Sequence, residues 1–370
     1  MLVFGLYLLT LIFLIFMVKD KPIIEETDRH EEYLSYKYYC DNGFHKLRRE
    51  SIVDACFMSN IVPALIQRLT HLPSMGLFKV YSCFFLAAMP EISYLASRLY
   101  FGTWESLLVA FFIMSSFYFL YDPNIGRVGI AIPFLSLLFY GILSDDIPLV
   151  AVAAVLVGLS HYGTICVALF ILGISHLVLP AAISITLPLV ILLLILVVWH
   201  MIVMRVSGMA IWSFVSLSIS GNSHMLEKSI ANSPANVSFW SPRRREGVIQ
   251  SACAVNWKYF TIPQKIEFFL SWMMVLAVSC GAVLISQPVI LKVLVIASFV
   301  ALIITGAIPH ISIFYGIARV YFSVSSLLAL CFVAVAHHLG VLVIAGVLCL
   351  FYGLTVGGIT YKIFGFNKRR

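Results

Sequence analysis

Leu2 to Val18 is an apolar run without a single charged side chain, and the same pattern returns along most of the chain. A helix crossing the hydrocarbon core of a bilayer needs roughly 20 such residues. Runs of that kind fall near 2–18, 77–97, 105–121, 127–143, 147–163, 165–181, 183–204, 268–286, 289–308, 320–338 and 340–361. The pattern predicts an all-α fold: a polytopic membrane helical bundle of about 11 transmembrane helices, forming a single integral membrane domain over residues 1–370. No basic stretch precedes the first run and no small-residue cleavage site follows it, so it reads as a retained helix rather than a leader. Two long polar segments interrupt the pattern, 19–76 and 205–265. Within the first, "SIVDACFMSNIVPALIQRLTH" (52–72) is amphipathic rather than fully apolar, which predicts an interfacial helix and not a span.

If the spans alternate in direction, both long segments emerge on one face. So do three short turns: "YDPNIGR" (Tyr121 to Arg127), "SHYGT" (Ser160 to Thr164) and "IPHISIFYGIAR" (Ile308 to Arg319). The opposite face carries clipped turns such as "LSDDIP" and "HHLG". Nearly all polar chemistry is therefore expected on one side of the membrane.

Composition sharpens this picture. Hydrophobic residues make up 61% of the 370, charged residues 11%, and the mean hydropathy is +1.01, which excludes an ordinary soluble domain. The net charge of +7 gathers in loops, which points to lipid headgroups or a phosphorylated substrate and not to nucleic acid. Counted by alternation, only Arg98 and Lys292 lie on the plain face, which by the positive-inside rule puts the working face in the cytoplasm. Five of the eight cysteines sit in apolar runs, while Cys40, Cys56 and Cys253 lie in polar segments where two of them could pair.

Against so few charges, "EETDRHEEY" (Glu25 to Tyr33) packs five carboxylates, an arginine and a histidine into nine positions. On a helix, Asp28 and Glu32 share a face at i, i+4, Glu25 precedes them by three residues, and His30 turns away. Close carboxylates at a bilayer surface raise one another's proton affinity, which suits a general base. The plain alternative is a solvated ridge. Arg127 and Arg319 stand at span ends, where an ionised side chain either contacts a substrate or snorkels. His161 can donate to a phosphate or sugar oxygen. "SPRRREG" (Ser241 to Gly247) reads as a headgroup-hugging run.

Five elements occur in order: Asp28-x-His30-x-Glu32-Tyr33, "IVPALIQRLTHL", "GRVGIAIPFLSLLF", "SHYGT" and Tyr315-Gly-x-x-Arg319-x-Tyr321. Their order and shared sidedness resemble a group of archaeal multi-span proteins within the GT-C glycosyltransferases, which use polyprenyl-phosphate-linked sugar donors. The resemblance covers the region up to about residue 180 and patches of 308–322. It implies a GT-C-like fold with interfacial helices in the first loop, and sugar transfer by single displacement with inversion. Asp28 would be the catalytic carboxylate, supported by Glu32. His30, Arg127, His161, Tyr162 and Arg319 would hold the donor phosphate. A divalent cation, where one is used, would sit at Asp28. The resemblance also implies a multi-pass protein of the cell membrane with the active face outward, against the charge count. The alternative is a transporter or flippase for a lipid-linked or anionic solute. Glu91, beside Pro90 within a span, is the residue that favours it.

Overall fold

The computed structural model describes residues 2–18, 23, 28–44, 47–49, 53–115, 126–206, 289–307 and 317–356. Expectations placed on Glu25, most of 205–265, the span near 268–286 and the turn 308–316 fall outside the described residues. Within them the chain is entirely helical, with no strand. We number the helices α1 (Leu2–Val18), α2 (Asp28–Asn42), α3 (Phe57–Thr70), α4 (Ser74–Arg98), α5 (Thr103–Met114), α6 (Gly126–Leu143), α7 (Ile147–Ser160), α8 (Tyr162–Val178), α9 (Ile183–Ile195), α10 (Val289–Ala307), α11 (Ile317–His338) and α12 (Leu342–Val356). A π-helical segment, Leu196–Val203, continues α9.

Among the described residues, four helices are long and apolar enough to cross a membrane: Ser74–Arg98, Gly126–Leu143, Ile183–Val203 and Val320–His338. Shorter apolar helices accompany them, and the protein is a helical, membrane-embedded one. The run expected at 105–121 is helical from Thr103 to Met114. Two compact units divide the chain: Met1–Ile92 with Pro123–Leu217, and Ser93–Asp122 with Ser218–Arg370.

In the first unit α6 is the central helix. It is apolar all round, as a helix enclosed by others must be, and its side chains from Gly126 to Leu143 are almost all buried. It pairs with α7 through a tight link in which Asp145 takes a left-handed conformation (φ 54°). Asp146 there accepts the Leu149 N–H at 3.0 Å as N-cap. Farther along α7, Gly158 lets α9 approach closely: a Cβ at that position would stand 2.7 Å from the Ile195 Cδ1. The same approach brings His200, in the π-helical segment, within 3.0 Å of the Gly158 carbonyl oxygen. A π turn carries one extra residue per turn, and here it swings His200 and Trp199 inward from a helix that otherwise faces lipid.

α2 and α3 form a layer of their own. The buried positions of α2 are Glu32, Ser35, Tyr36 and Tyr39, spaced i, i+3, i+4, i+7. These are polar or amphipathic side chains, which explains why hydropathy gave α2 no buried face. Of these, Tyr36 and Tyr39 pack with Ile61 and Ala64 of α3 and Phe78 of α4. Phe78 is the hub: the Tyr33 ring meets it edge-on and the Tyr36 ring stacks on it, each at 5.3 Å between centroids. The Arg29 guanidinium lies 4.2 Å above the same ring.

In the second unit α11 is the buried helix, packed against α5 and α10. The Ser93 hydroxyl donates to the Ser326 hydroxyl oxygen at 3.1 Å. Glu105, in the first turn of α5, pairs with His337 at 3.3 Å, a partner that the "HH" dipeptide does not reveal.

Candidate functional site

α2 begins at Asp28 and runs through the polar, charged segment that follows the first apolar run. One turn later Glu32 is driven into the protein, 3% exposed. An isolated carboxylate there would be costly. It is held by the Arg127 Nε at 3.1 Å, the Arg127 backbone N–H at 3.3 Å and the Arg29 Nη1 at 3.6 Å. Arg127 is the second residue of α6, so Glu32 satisfies both a guanidinium and one of the unpaired N–H groups at that helix end.

Gly126 makes this docking sterically feasible. A Cβ at that position would overlap the Glu32 carboxylate and the Arg29 guanidinium, and would stand 3.0 Å from the Glu32 Cδ. The glycine before Arg127 therefore opens the end of α6 to a side chain arriving from the first polar segment. Two guanidiniums, from α2 and α6, thus converge on this one carboxylate.

The link between α7 and α8 joins the same cluster. His161 is its single residue, in extended conformation, and it is buried. The Thr164 N–H donates to its Nδ1 at 3.2 Å, so the ring caps α8 and carries its proton on Nε2 when neutral. The Tyr162 ring packs on the His161 ring at 5.0 Å, and the Tyr162 backbone N–H points at the sulfur of Cys56. The Arg127 side chain hydrogen-bonds the same sulfur. Burial pushes the Cys56 thiol up to about 11, and the nearby Glu32 charge adds to that; Arg127 and the Tyr162 N–H offset only part of it. Cys56 is thus a neutral thiol wedged between an arginine and a helix N-terminus.

The turn bearing Cys56 is braced from three sides. The Asn60 Nδ2 donates to the Val53 carbonyl at 2.5 Å, and the Trp199 Nε1 donates to the Ala55 carbonyl at 2.8 Å. The Ser35 hydroxyl donates to the Asp54 carboxylate at 2.5 Å. Asp54 is fully buried and its other oxygen faces the Arg48 Nε at 3.6 Å. Its charge, added to burial, raises the Tyr39 phenol to about 12.

The expected site residues thus divide. Glu32, Arg127, His161 and Tyr162 share one neighbourhood in the first unit. His30 is half-buried on α2, two residues before Glu32. Asp28 opens α2, with its side chain outside the described residues. Arg319 lies near the start of α11 in the second unit, its side chain also outside them. A solvated ridge does not describe Glu32, which is buried and ion-paired. Of the three polar-segment cysteines among which a pair was possible, Cys40 and Cys56 are both free thiols, and Cys56 is turned into the Arg127 cluster. Cys253 lies outside the described residues.

Sequence reasoning missed Arg29, Asp54, Cys56, Gly126 and Trp199 as members of this neighbourhood. The Glu32-Ser35-Tyr36-Tyr39 spacing and a glycine directly before an arginine at the head of an apolar run were the available signals. Among the described residues no three His, Cys, Asp or Glu side chains gather as a metal ligand set. Glu32 is taken up by two guanidiniums, which does not fit a cation there. No family model matches the chain, and no curated protein matches it significantly in sequence.

Proposed function

We propose that the protein is a GT-C-like membrane glycosyltransferase that moves a sugar from a polyprenyl-phosphate-linked donor to an acceptor, within a bundle of about 11 spans. One observation carries this reading: Glu32 and Arg29 of the first polar segment, Arg127 at the head of α6 and Tyr162 at the head of α8 meet in one cluster around Cys56. Three sequence elements from separate parts of the chain thereby supply cations and helix N-termini to one place, as the departure of a lipid phosphate requires.

In the transfer, the acceptor hydroxyl gives its proton to the Asp28 carboxylate and its oxygen bonds to the anomeric carbon from the face opposite the phosphate. The bond from that carbon to the phosphate oxygen breaks, and the phosphate leaves with the electron pair. Asp28 lies one turn before Glu32 at i, i+4, hence on the same face of α2. Glu32 positions Arg127 and does not serve as base, since two guanidiniums already bind it. Arg127 and the His161 Nε2–H face the leaving phosphate, with His30 as a further donor. The working face opens to the outside of the cell membrane.

The test is Asp28→Asn in membranes supplied with labelled lipid-linked sugar. Transfer is expected to fall by about 100-fold or more; transfer at the parent rate removes Asp28 from the mechanism. A transporter or flippase is the second reading. It is favoured by Glu91, which is only partly exposed within the membrane-spanning helix α4. It predicts the reverse pattern, with Glu91→Gln inactive and Asp28→Asn unaffected.

A further inference from the structure

α3 is apolar on two faces. It buries Ile61 together with Ser59, Asn60, Pro63 and Ala64, while Leu65 and Leu69 face outward, Leu69 being 74% exposed. Leu72, just past the helix end, continues the outward stripe at i, i+4, i+7 and is also exposed. A helix beside water keeps its leucines on the buried face. With 14 residues α3 is about 21 Å long, too short to cross a bilayer.

Its depth is set by its neighbour. His71 ends α3 in a left-handed conformation (φ 56°), and the membrane-crossing α4 starts at Ser74. The Thr70-to-Ser74 connection can span at most about 14 Å. The end of α3 is thereby tied to the level at which α4 enters the bilayer.

α2, packed on the other side of α3, shows the complementary outer stripe: Glu31, Leu34, Lys37 and Asp41. Among the described residues of this layer, Lys37, Arg49 and Arg68 are exposed beside Glu31 and Asp41, with His71 at the α3 terminus, and Arg48 is paired with Asp54. The Arg68 Nε donates to the Cys40 carbonyl at 3.0 Å, which points this arginine back toward α2 and away from the leucine stripe. Exposed leucines and exposed basic groups thus share one layer, the composition of a helix seated at the boundary of headgroups and acyl chains.

We propose that the α2–α3 layer is a docking surface for anionic phospholipid. Leu65, Leu69 and Leu72 enter the acyl-chain boundary, and Lys37, Arg49 and Arg68 hold the phosphate headgroups. The proposal requires a membrane-embedded chain and is independent of glycosyl transfer. It assigns the surface to bulk phospholipid of the leaflet, distinct from the Arg127 cluster.

The experiment uses the full chain reconstituted in vesicles of phosphatidylcholine, with and without phosphatidylglycerol. Leu69→Trp replaces an outward side chain, and Leu65→Trp provides a second position on the stripe. Fluorescence added over that of the parent protein is expected to be blue-shifted and quenched by lipids brominated near the headgroup end of the acyl chain. Emission at long wavelength that iodide quenches from the aqueous phase overturns the proposal. So does blue-shifted emission that brominated lipid leaves untouched, because the stripe is then covered by protein. For the basic groups, Lys37→Gln combined with Arg49→Gln is expected to lower retention of phosphatidylglycerol relative to phosphatidylcholine by about ten-fold. Retention unchanged from the parent, with inorganic phosphate competing in both proteins, overturns the headgroup assignment.

Discussion

Glu32 is the side chain on which the most depends, because it is a nearly buried carboxylate held by groups from two separate elements. Glu32→Gln removes the carboxylate charge that Arg29 and Arg127 both meet, and the expected cost is about 3 kcal/mol. Gly126→Ala reaches the same contact from the other side by pushing a methyl group into the carboxylate, at about 2 kcal/mol. Unfolding of the two variants and of their combination checks both values. The double variant is expected to lose less than the sum, since both changes break one interaction, and strict additivity would show that the two sites are independent. Cys56 makes a separate prediction through its protonation. Its folded value of about 11 lies above the ordinary 9.0 of an unfolded chain. Below pH 9 both states carry the proton and the thiol leaves stability unchanged. Between pH 9 and 11 the unfolded chain releases its proton first, so the folded state loses ground as pH rises. Cys56→Ser, which does not titrate there, is expected to flatten that decline; equal slopes for variant and parent would contradict it.

Helix ends do much of the positioning here. α6 meets the first polar segment through its N-terminus, α7 begins on an Asp146 cap, and α8 is capped by an imidazole. His161→Ala removes the acceptor for the Thr164 N–H and is expected to destabilise the protein by about 1 kcal/mol. His161→Asn, which can cap the same N–H, is expected to recover most of that loss, as read from thermal unfolding. Failure of Asn to recover would mean that the ring's packing, and not its capping, is what the fold uses. The π-helical segment has a comparable task. By turning Trp199 onto the Ala55 carbonyl it braces the turn that carries Cys56, and by turning His200 onto the Gly158 carbonyl it ties itself to α7.

Much of the molecule's surface is apolar because lipid is its solvent. Phe4, Ile12, Leu177, Ile202 and Val343 are all outward-facing. Which compartment the polar segments meet is a property of the whole chain, and the outward placement proposed above can be read by chemistry at Asp41, an exposed residue of α2. Asp41→Cys in intact cells is expected to react with a membrane-impermeant maleimide above the parent's background. Reaction only after the membrane is opened would place the first polar segment inside, as the count of lysines and arginines does.

Hydropathy over some twenty residues was enough to locate the apolar helices among the described residues, since an apolar run in a chain of this composition can satisfy its backbone only by coiling within itself. The start of α1, the head of α6 and the division between α7 and α8 are therefore legible one run at a time. Amphipathicity likewise marked α3 as something other than a span. Legibility ends where a contact depends on residues far apart in the chain. The pairing of Glu32 with Arg127, across 95 positions, requires α2 to fold back onto the head of α6 and requires Gly126 to have no side chain. Asp54 and Trp199 enter through contacts of the same long-range kind. Periodicity states which face of a helix is apolar, but α2 buries Glu32 and Ser35 beside its tyrosines, because charged partners from elsewhere in the chain meet those two positions. Only packing in three dimensions could decide that, since the energy of a buried carboxylate depends on which partners meet it and not on its neighbours in sequence.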